Sequence, residues 1–446
     1  MKFQTILLTF FGVMAVVGLM TFANSDTKKS GGDDKTLSEA SGNVVIWGTF
    51  PLNSDFSDVI ADFNKSYKDI FSISYVFHDP KTFDNEIVEA LASGRGPDIL
   101  LLPDELVMRH SDKIELISYA RFPQNTFSSM FIQAAEIYMR KDGLAALPFA
   151  VDPMVMYWNR DLFNNASIAV PPKYWEEFLT LTPKLTKRNS KSLELTQSAV
   201  SFGEFSNVKN AKELLSMLFL QVGNPIVEYE KNAPVSRLAS NGKLSTPVPD
   251  QSIVSALRFF MDFADPSKSI YTWSKARGNS LDEFIDGNLA IHFDYASEYQ
   301  NIKLKNPHLN FAIANVPQPK NTAAEVTTAK VYGLSVLKTS KNKPTAFVAV
   351  TKLLTDAQPA KKFADAFGLP PVRRDQLVNK PSDEAFFIFY DAAIRARTWL
   401  DPKPSATDRI FSSMIDKISS GYAPSDTALE AAHTELNAEL LPYLKQ

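Results

Sequence analysis

Apolar and polar positions along this chain follow two periods, and the periods switch in a regular order. Val44-Val45-Ile46-Trp47 is a short apolar run closed by Gly48, the pattern of a buried strand. Phe56, Val59, Ile60, Phe63 and Tyr67 then recur at helical spacing and mark one face of an amphipathic helix. Phe71 to Phe77 alternates as a second strand, and Phe83, Ile87 and Leu91 predict a second helix that stops at Gly94. Ile99 to Leu102 is apolar throughout, as strands covered on both faces are. This alternation predicts a parallel sheet with crossover helices. Ligands of such sheets bind beyond the carboxyl ends of the strands, so the loops after Trp47 and after Leu102 are the first candidates.

From Pro171 the pattern is mainly helical, with helices predicted over Trp175–Leu181, Ala211–Leu220, Ser252–Phe263 and Ser280–Ile285. Leu309–Val316 and Lys330–Leu337 are short strand candidates. Helices follow over Thr345–Leu354, Pro359–Ala366, Asp383–Trp399, Thr407–Ser419 and Ser425–Leu441. Pro225 to Asp250 is long, polar and proline-containing, and predicts a surface insertion.

The first residues change the picture of where the chain works. Lys2 is followed by an uncharged apolar stretch from Gln4 to Ala23. Signal-peptide cores run about 7–15 apolar residues and membrane-spanning helices about 20, so residues 1–23 are expected to be a retained anchor or a cleaved signal. Residues 24–42, rich in Ser, Gly, Asp and Lys, cannot build a core and are expected to form a flexible tether. Either outcome places the remainder outside the cytoplasmic membrane, anchored to its outer face or released. The 446 residues leave room for more than one lobe, and a net charge of −3 gives no footprint for nucleic acid. The chain has no cysteine, which excludes disulfides, thiolate metal sites and a lipidated cysteine anchor.

Several segments, in order, carry a resemblance. Gly96-Pro97-Asp98-Ile99-Leu100-Leu101-Leu102 and Leu147-Pro148-Phe149-Ala150-Val151-Asp152-Pro153, the latter leading into Tyr157-Trp158-Asn159-Arg160-Asp161-Leu162-Phe163, read as strands arriving at a cleft. Pro171-Pro172-Lys173-Tyr174-Trp175-Glu176-Glu177-Phe178, Phe284 to Ile291, Val316-Pro317-Gln318-Pro319 and Tyr332-Gly333-Leu334-Ser335-Val336 complete the set. Together they resemble bacterial extracellular solute-binding proteins of the maltose-binding type over roughly Asn43 to Leu441. That resemblance implies a type II periplasmic-binding fold of two α/β lobes, with 43–149 and 318–365 in lobe one and 150–317 and 366–446 in lobe two. It places a first crossing between lobes at Leu147–Phe163 and a return hinge at 316–319. It also implies monomeric capture of a small solute, most often a sugar, by hinge closure, and delivery to the permease subunits of an ABC transporter. Two departures are visible. A threonine suited to cap the Trp175 helix is replaced by Tyr174, so the cap must come from elsewhere. His292-Phe293-Asp294-Tyr295-Ala296-Ser297-Glu298-Tyr299 stands where sugar-binding members often carry a tryptophan platform.

Binding a neutral polyol needs flat aromatic faces for its CH surface and carboxylates or amides for its hydroxyls. Trp47, with Thr49 and Phe50 in the loop beyond it, and Asp104 and Glu105 beyond Pro103 are the candidates on one side. Trp47 packed in the core and the two acids on a solvated loop are the plain alternatives. The resemblance puts Phe149 and Asp152 at the mouth between lobes, an acid there being equally suited to cap a helix. It also puts Asp294, Tyr295 and Tyr299 on the opposing side. Trp273, in a polar stretch, is a further stacking candidate. Trp158, Trp175 and Trp399 read as core, and Arg373 and Arg374 as solvated charge.

No cofactor and no metal are expected: the five histidines show no ligand spacing, and no phosphate loop or nucleophile elbow is present. A glycan-processing enzyme using Asp104 and Glu105 is the alternative from another class, but adjacent acids rarely flank one glycosidic bond. A receptor for a polyamine, ferric ion or phosphate ester is the alternative within the same class.

Overall fold

A computed structural model describes residues 39–231, 233–239 and 250–444. The apolar segment 1–23 and the tether up to residue 38 lie outside the described residues, as does 240–249 of the polar stretch. No helix among the described residues is long and apolar enough to cross a membrane.

The last residues of the tether expected over 24–42 belong to the folded part. Ala40 is buried, the Ser41 N–H donates to Thr345 Oγ1 at 3.0 Å, and Asn342 Nδ2 donates to the Ser41 carbonyl at 2.7 Å. Chain direction is therefore fixed two residues before β1 (Gly42–Gly48) begins. In β1, Val44 and Ile46 alternate inward, and α1 (Ser54–Ser66) buries Phe56 and Phe63, two helical turns apart. Asn53 caps that helix by accepting from the Phe56 N–H at 2.7 Å. Then come β2 (Phe71–Phe77), α2 (Phe83–Ala92) and β3 (Ile99–Pro103), with β1 paired parallel to both β2 and β3.

Two long strands carry the chain between lobes. β4 (Leu147–Asn159) and β8 (Thr327–Val336) run antiparallel, with Asp152 opposite Lys330 and Val151 opposite Val331. β8 also lies antiparallel to β3, so the first half-sheet reads β2-β1-β3-β8-β4. The far half of β4 pairs with β6 (Leu289–Tyr295) and β7 (Phe311–Ala314), and β6 pairs parallel with β5 (Leu195–Val200). One apolar cluster gathers Val44, Leu101, Phe149, Val151, Val331, Phe363, Leu369 and Leu377. A second gathers Met154, Tyr157, Phe202, Trp273, Phe293, Phe411 and Leu436. The divide falls inside β4, between Val151 and Met154. Two α/β lobes share one interrupted sheet.

Three expectations need correction. The helix expected over Asp383–Trp399 ends at Arg395 (α3, Glu384–Arg395), because Ala396–Arg397 is drawn into a short parallel pairing with Thr327–Thr328 of β8. This third crossing follows a helix that serves both cores: Ala385 and Phe389 pack in the second cluster, Tyr390 and Ala393 in the first. The return to lobe one is made by β8 rather than at 316–319. Pro317 and Pro319 have no N–H for a ladder, and Gln318 Nε2 instead donates to the Val316 and Val326 carbonyls, both at 3.0 Å. The polar stretch after Pro225 contains a hairpin, Val227–Glu230 with Ala233–Ser236, tied to the last helix by the Ser236 N–H donating to Asn437 Oδ1 at 2.9 Å. At Tyr174 the missing cap is supplied from within the next turn, since Glu177 Oε1 accepts from the Tyr174 N–H at 3.1 Å.

Candidate functional site

The carboxyl end of β3 delivers Asp104 and Glu105 to the crossing of β4 and β8. Asp104 is 5 % exposed and clasps two of the crossing segments: its Oδ1 accepts from the Val331 N–H at 2.8 Å and its Oδ2 bonds the Thr398 hydroxyl. Burial pushes its carboxyl up to about 7, against the Thr398 and Val331 hydrogen bonds. Asp152, opposite Lys330 on the hinge, is also buried; its Oδ1 accepts from the Ser297 N–H at 2.9 Å. Burial pushes it up to about 6, again against its hydrogen bonds.

Glu105 and Lys330 are the charged pair the cleft can reach. Their side chains are 29 % and 28 % exposed, and Lys330 Nζ lies 3.5 Å from Glu105 Oε1. The same ammonium stands 5.2 Å from the centroid of the Tyr295 ring, which comes from the end of β6 in the second lobe. Glu105 above all raises the proton affinity of Lys330, overcoming its burial, with Tyr332, Glu213 and Asp152 adding to it. Glu213, in the first turn of the helix Ala211–Gln221, is itself raised by burial and lowered by Lys212 and Lys330. Tyr295 itself is 7 % exposed and belongs to the second core, so it underlies Lys330 rather than forming an open platform. Acceptors and a donor thus meet where both lobes and the hinge converge, which is chemistry a hydroxylated solute requires.

The remaining expected residues are placed as follows. Trp47, at the end of β1, is half-buried and packs against His78, with ring centroids 4.1 Å apart and planes tilted by 38°. Thr49 is half-buried beyond it. Phe50 packs on Tyr332 and Phe367, at 4.7 and 4.2 Å, and its backbone N–H and carbonyl both bond the Tyr75 hydroxyl. Phe149 does not face the mouth: it is buried on Phe363 and Phe367 in the first core. Trp273 is 0 % exposed, a core residue of the second lobe whose Nε1 donates to Asn207 Oδ1 at 3.1 Å. Its neighbour Thr272 is buried with it, the hydroxyl accepting from the Ala199 N–H at 2.7 Å. Asp294 is buried between Lys209 at 2.9 Å and His292 at 3.1 Å, and accepts from Asn210 Nδ2 at 2.7 Å, which leaves no lone pair directed at the cleft. Tyr299 packs against Phe311 and Phe389 at 5.9 Å and lines a separate cavity of about 400 Å³ with Arg160, Lys303 and Glu384. The helix that follows Tyr295 carries it away from the crossing.

The sequence reading missed Lys330, Glu213 and Thr398. A charged residue in an otherwise uncharged strand was a usable signal for the first; Glu213 looks like an ordinary acid of a helix first turn. Nothing local marks Thr398.

Asp294 gives a direct test of the second lobe's framework. Burial alone would raise its pKa, but His292 and Lys209 hold it down to about 2. Its contribution is therefore present above about pH 4 and lost as pH falls toward 2, worth about 2 kcal/mol. Asp294→Asn is expected to lower the unfolding free energy from urea titration by about 2 kcal/mol at pH 7 and to differ little from the parent near pH 2.

Two lobes thus share one sheet, three segments cross between them, and charged groups gather at the crossing. Residues 58–385 match the family model described as bacterial extracellular solute-binding protein, and the chain belongs to that family. Membership implies a location outside the cytoplasm. In fold the chain is similar to the cyclic alpha-maltosyl-1,6-maltose binding protein from Arthrobacter globiformis, at 17% identity and a TM-score of 0.73, covering 90% of this chain and 99% of that one. It is also similar to a cyclo/maltodextrin-binding protein complexed with maltotetraose, at 14% identity and a TM-score of 0.69, covering 89% and 97%. A third likeness is to an ABC transporter solute binding protein from Thermotoga lettingae TMO bound with alpha-D-tagatose, at 18% identity and a TM-score of 0.66, covering 90% and 100%.

Proposed function

We propose that this receptor captures a sugar or oligosaccharide between its lobes by hinge closure and delivers it, without turnover, to the permease subunits of an ABC transporter. The observation that carries the reading is the meeting of Glu105, Lys330 and Tyr295 from lobe one, hinge and lobe two at one point. A ligand that bonds Glu105 and Lys330 and also meets the second lobe favours the closed state, because closure then adds contacts that the open state lacks. The fold likenesses to proteins carrying maltotetraose and tagatose support the ligand class. An anionic floor of Glu105 and Glu213 disfavours a phosphate ester. Lobe one in this proposal takes 40–151 and about 329–377, the last boundary lying past Asp365 because Leu369 and Leu377 pack in the first core. The segment 1–23, as anchor or cleaved signal, would hold or release a monomer at the outer face of the membrane.

The test is thermal unfolding of the chain against sugars, polyols, polyamines, ferric ion and phosphate. A ligand at about a hundredfold excess over its Kd adds about 2.7 kcal/mol and raises the midpoint. Response to a sugar class is the expected result; response to polyamine, ferric ion or phosphate alone would replace that class, and release of shortened glycan products would make the protein an enzyme. With a ligand in hand, Trp47→Ala is expected to weaken binding about tenfold while stability falls by less than about 2 kcal/mol, below the range for fully buried aromatics. A collapse of stability instead would assign Trp47 to the core.

A further inference from the structure

Lys330 sits inside the set of groups that would recognise an ammonium ion. A carboxylate, Glu105, lies 3.5 Å from Nζ, and an aromatic face, Tyr295, has its centroid 5.2 Å away. A carboxylate together with a ring face is a general arrangement for holding a cation. Glu213 and Asp152 add negative charge from lobe two and from the opposing hinge strand. The ammonium that fills this cage belongs to the chain itself. It is delivered by the central strand of the hinge and remains 28 % exposed, within reach of whatever enters the cleft.

We infer that Lys330 is the specificity determinant of the cleft: its ammonium occupies the cation site between Glu105 and Tyr295 and restricts the receptor to uncharged, hydroxylated solutes. A ligand hydroxyl can donate to the free lone pairs of Glu105 and accept from Lys330. A cationic ligand meets a filled site and a like charge, and an anionic ligand meets Glu105 and Glu213. Without the lysine side chain, the same carboxylates and ring form an open site for a ligand that brings its own ammonium, such as an amino sugar. The wild-type ligand class rests on the sugar-capture reading above; the gain of amine binding does not.

The experiment is isothermal titration calorimetry of the full chain and of Lys330→Met, at pH 6.5 and low salt, with maltotriose and with a chitosan trimer of free amines. Lys330→Met is expected to bind the chitosan trimer at least tenfold more tightly than the wild type does. Adding Glu105→Gln should abolish that gain, as should 0.5 M salt, because the new contact is an ion pair. A Lys330→Met chain that folds but binds the amine no better than wild type overturns the inference, as does a wild type that prefers the amine tenfold over maltotriose. Should Lys330→Met not fold, Lys330→Gln gives the same readout. A wild type silent to maltotriose and to a wider panel of neutral sugars, with the amine gain intact in the variant, keeps the cation site and overturns the sugar reading alone.

Discussion

Asp104→Asn is expected to stabilise the protein at pH 8, by up to about 4 kcal/mol, and to leave it unchanged near pH 4. The Asp104 carboxyl ionises near its ordinary value in the unfolded chain but is pushed up to about 7 by burial in the folded one. Between those values the folded state holds a proton that the unfolded state has released, so stability declines as pH rises from about 4 to about 7. An asparagine removes that decline and keeps both hydrogen bonds: Oδ1 still accepts from the Val331 N–H, and Nδ2 donates to the Thr398 hydroxyl in place of the carboxylate oxygen. Asp152, raised to about 6, keeps a smaller slope of the same sign in the variant. The check is the difference in urea midpoint between variant and parent at intervals from pH 4 to 8. A difference that does not grow with pH would show that Asp104 is already ionised at acid pH, held by Lys330.

Lys212→Ala is expected to cost about 3–5 kcal/mol, the range for removing one partner of a buried ion pair. Lys212 is the second residue of its helix, where the dipole disfavours a cation, and it is nevertheless buried. Its ammonium reaches Asp401 at 3.1 Å, Asp408 at 2.8 Å and the Thr407 hydroxyl at 3.2 Å, binding that helix to the start of the helix Pro404–Ser419. Removing it strands Asp401, whose buried carboxyl depends on Lys212 and Thr407 for compensation. Lys212→Ala with Asp401→Asn should then be less destabilised than the sum of the two single variants, by at least about 1 kcal/mol in a double-mutant cycle. Strict additivity would show that the contact contributes nothing to the fold.

The elements of lobe one were legible because local pattern and tertiary environment agree there. Phe56 and Phe63 share a helix face and a core, and Ile99–Leu102 is apolar because helices cover both of its sides. Around the site that agreement fails. Phe149 and Asp152 are neighbours in sequence, but a strand turns them to different environments, one into the first core and one onto the crossing. Trp273 lies in an irregular stretch with no period to report which way a side chain points. Tyr295 and Tyr299 looked like a pair, yet a strand end holds the first in the core while the following helix sets the second against a different cavity. Lys330 becomes meaningful through its register with Asp152, a partner nearly half the chain away, and pairing of that kind leaves no local trace.

The strand order has a consequence for time. β8 lies between β3 and β4 in the sheet, yet it leaves the ribosome long after both. Until residue 336 has been made, β3 and β4 have no neighbour to join them, and the Ala396–Arg397 crossing comes later still. Lobe one therefore cannot finish folding until much of lobe two has been made. Because loop closure over such separations is slow, refolding is expected to lag well behind secondary-structure formation. In that interval the edge of β3 stays open to any other strand that reaches it first.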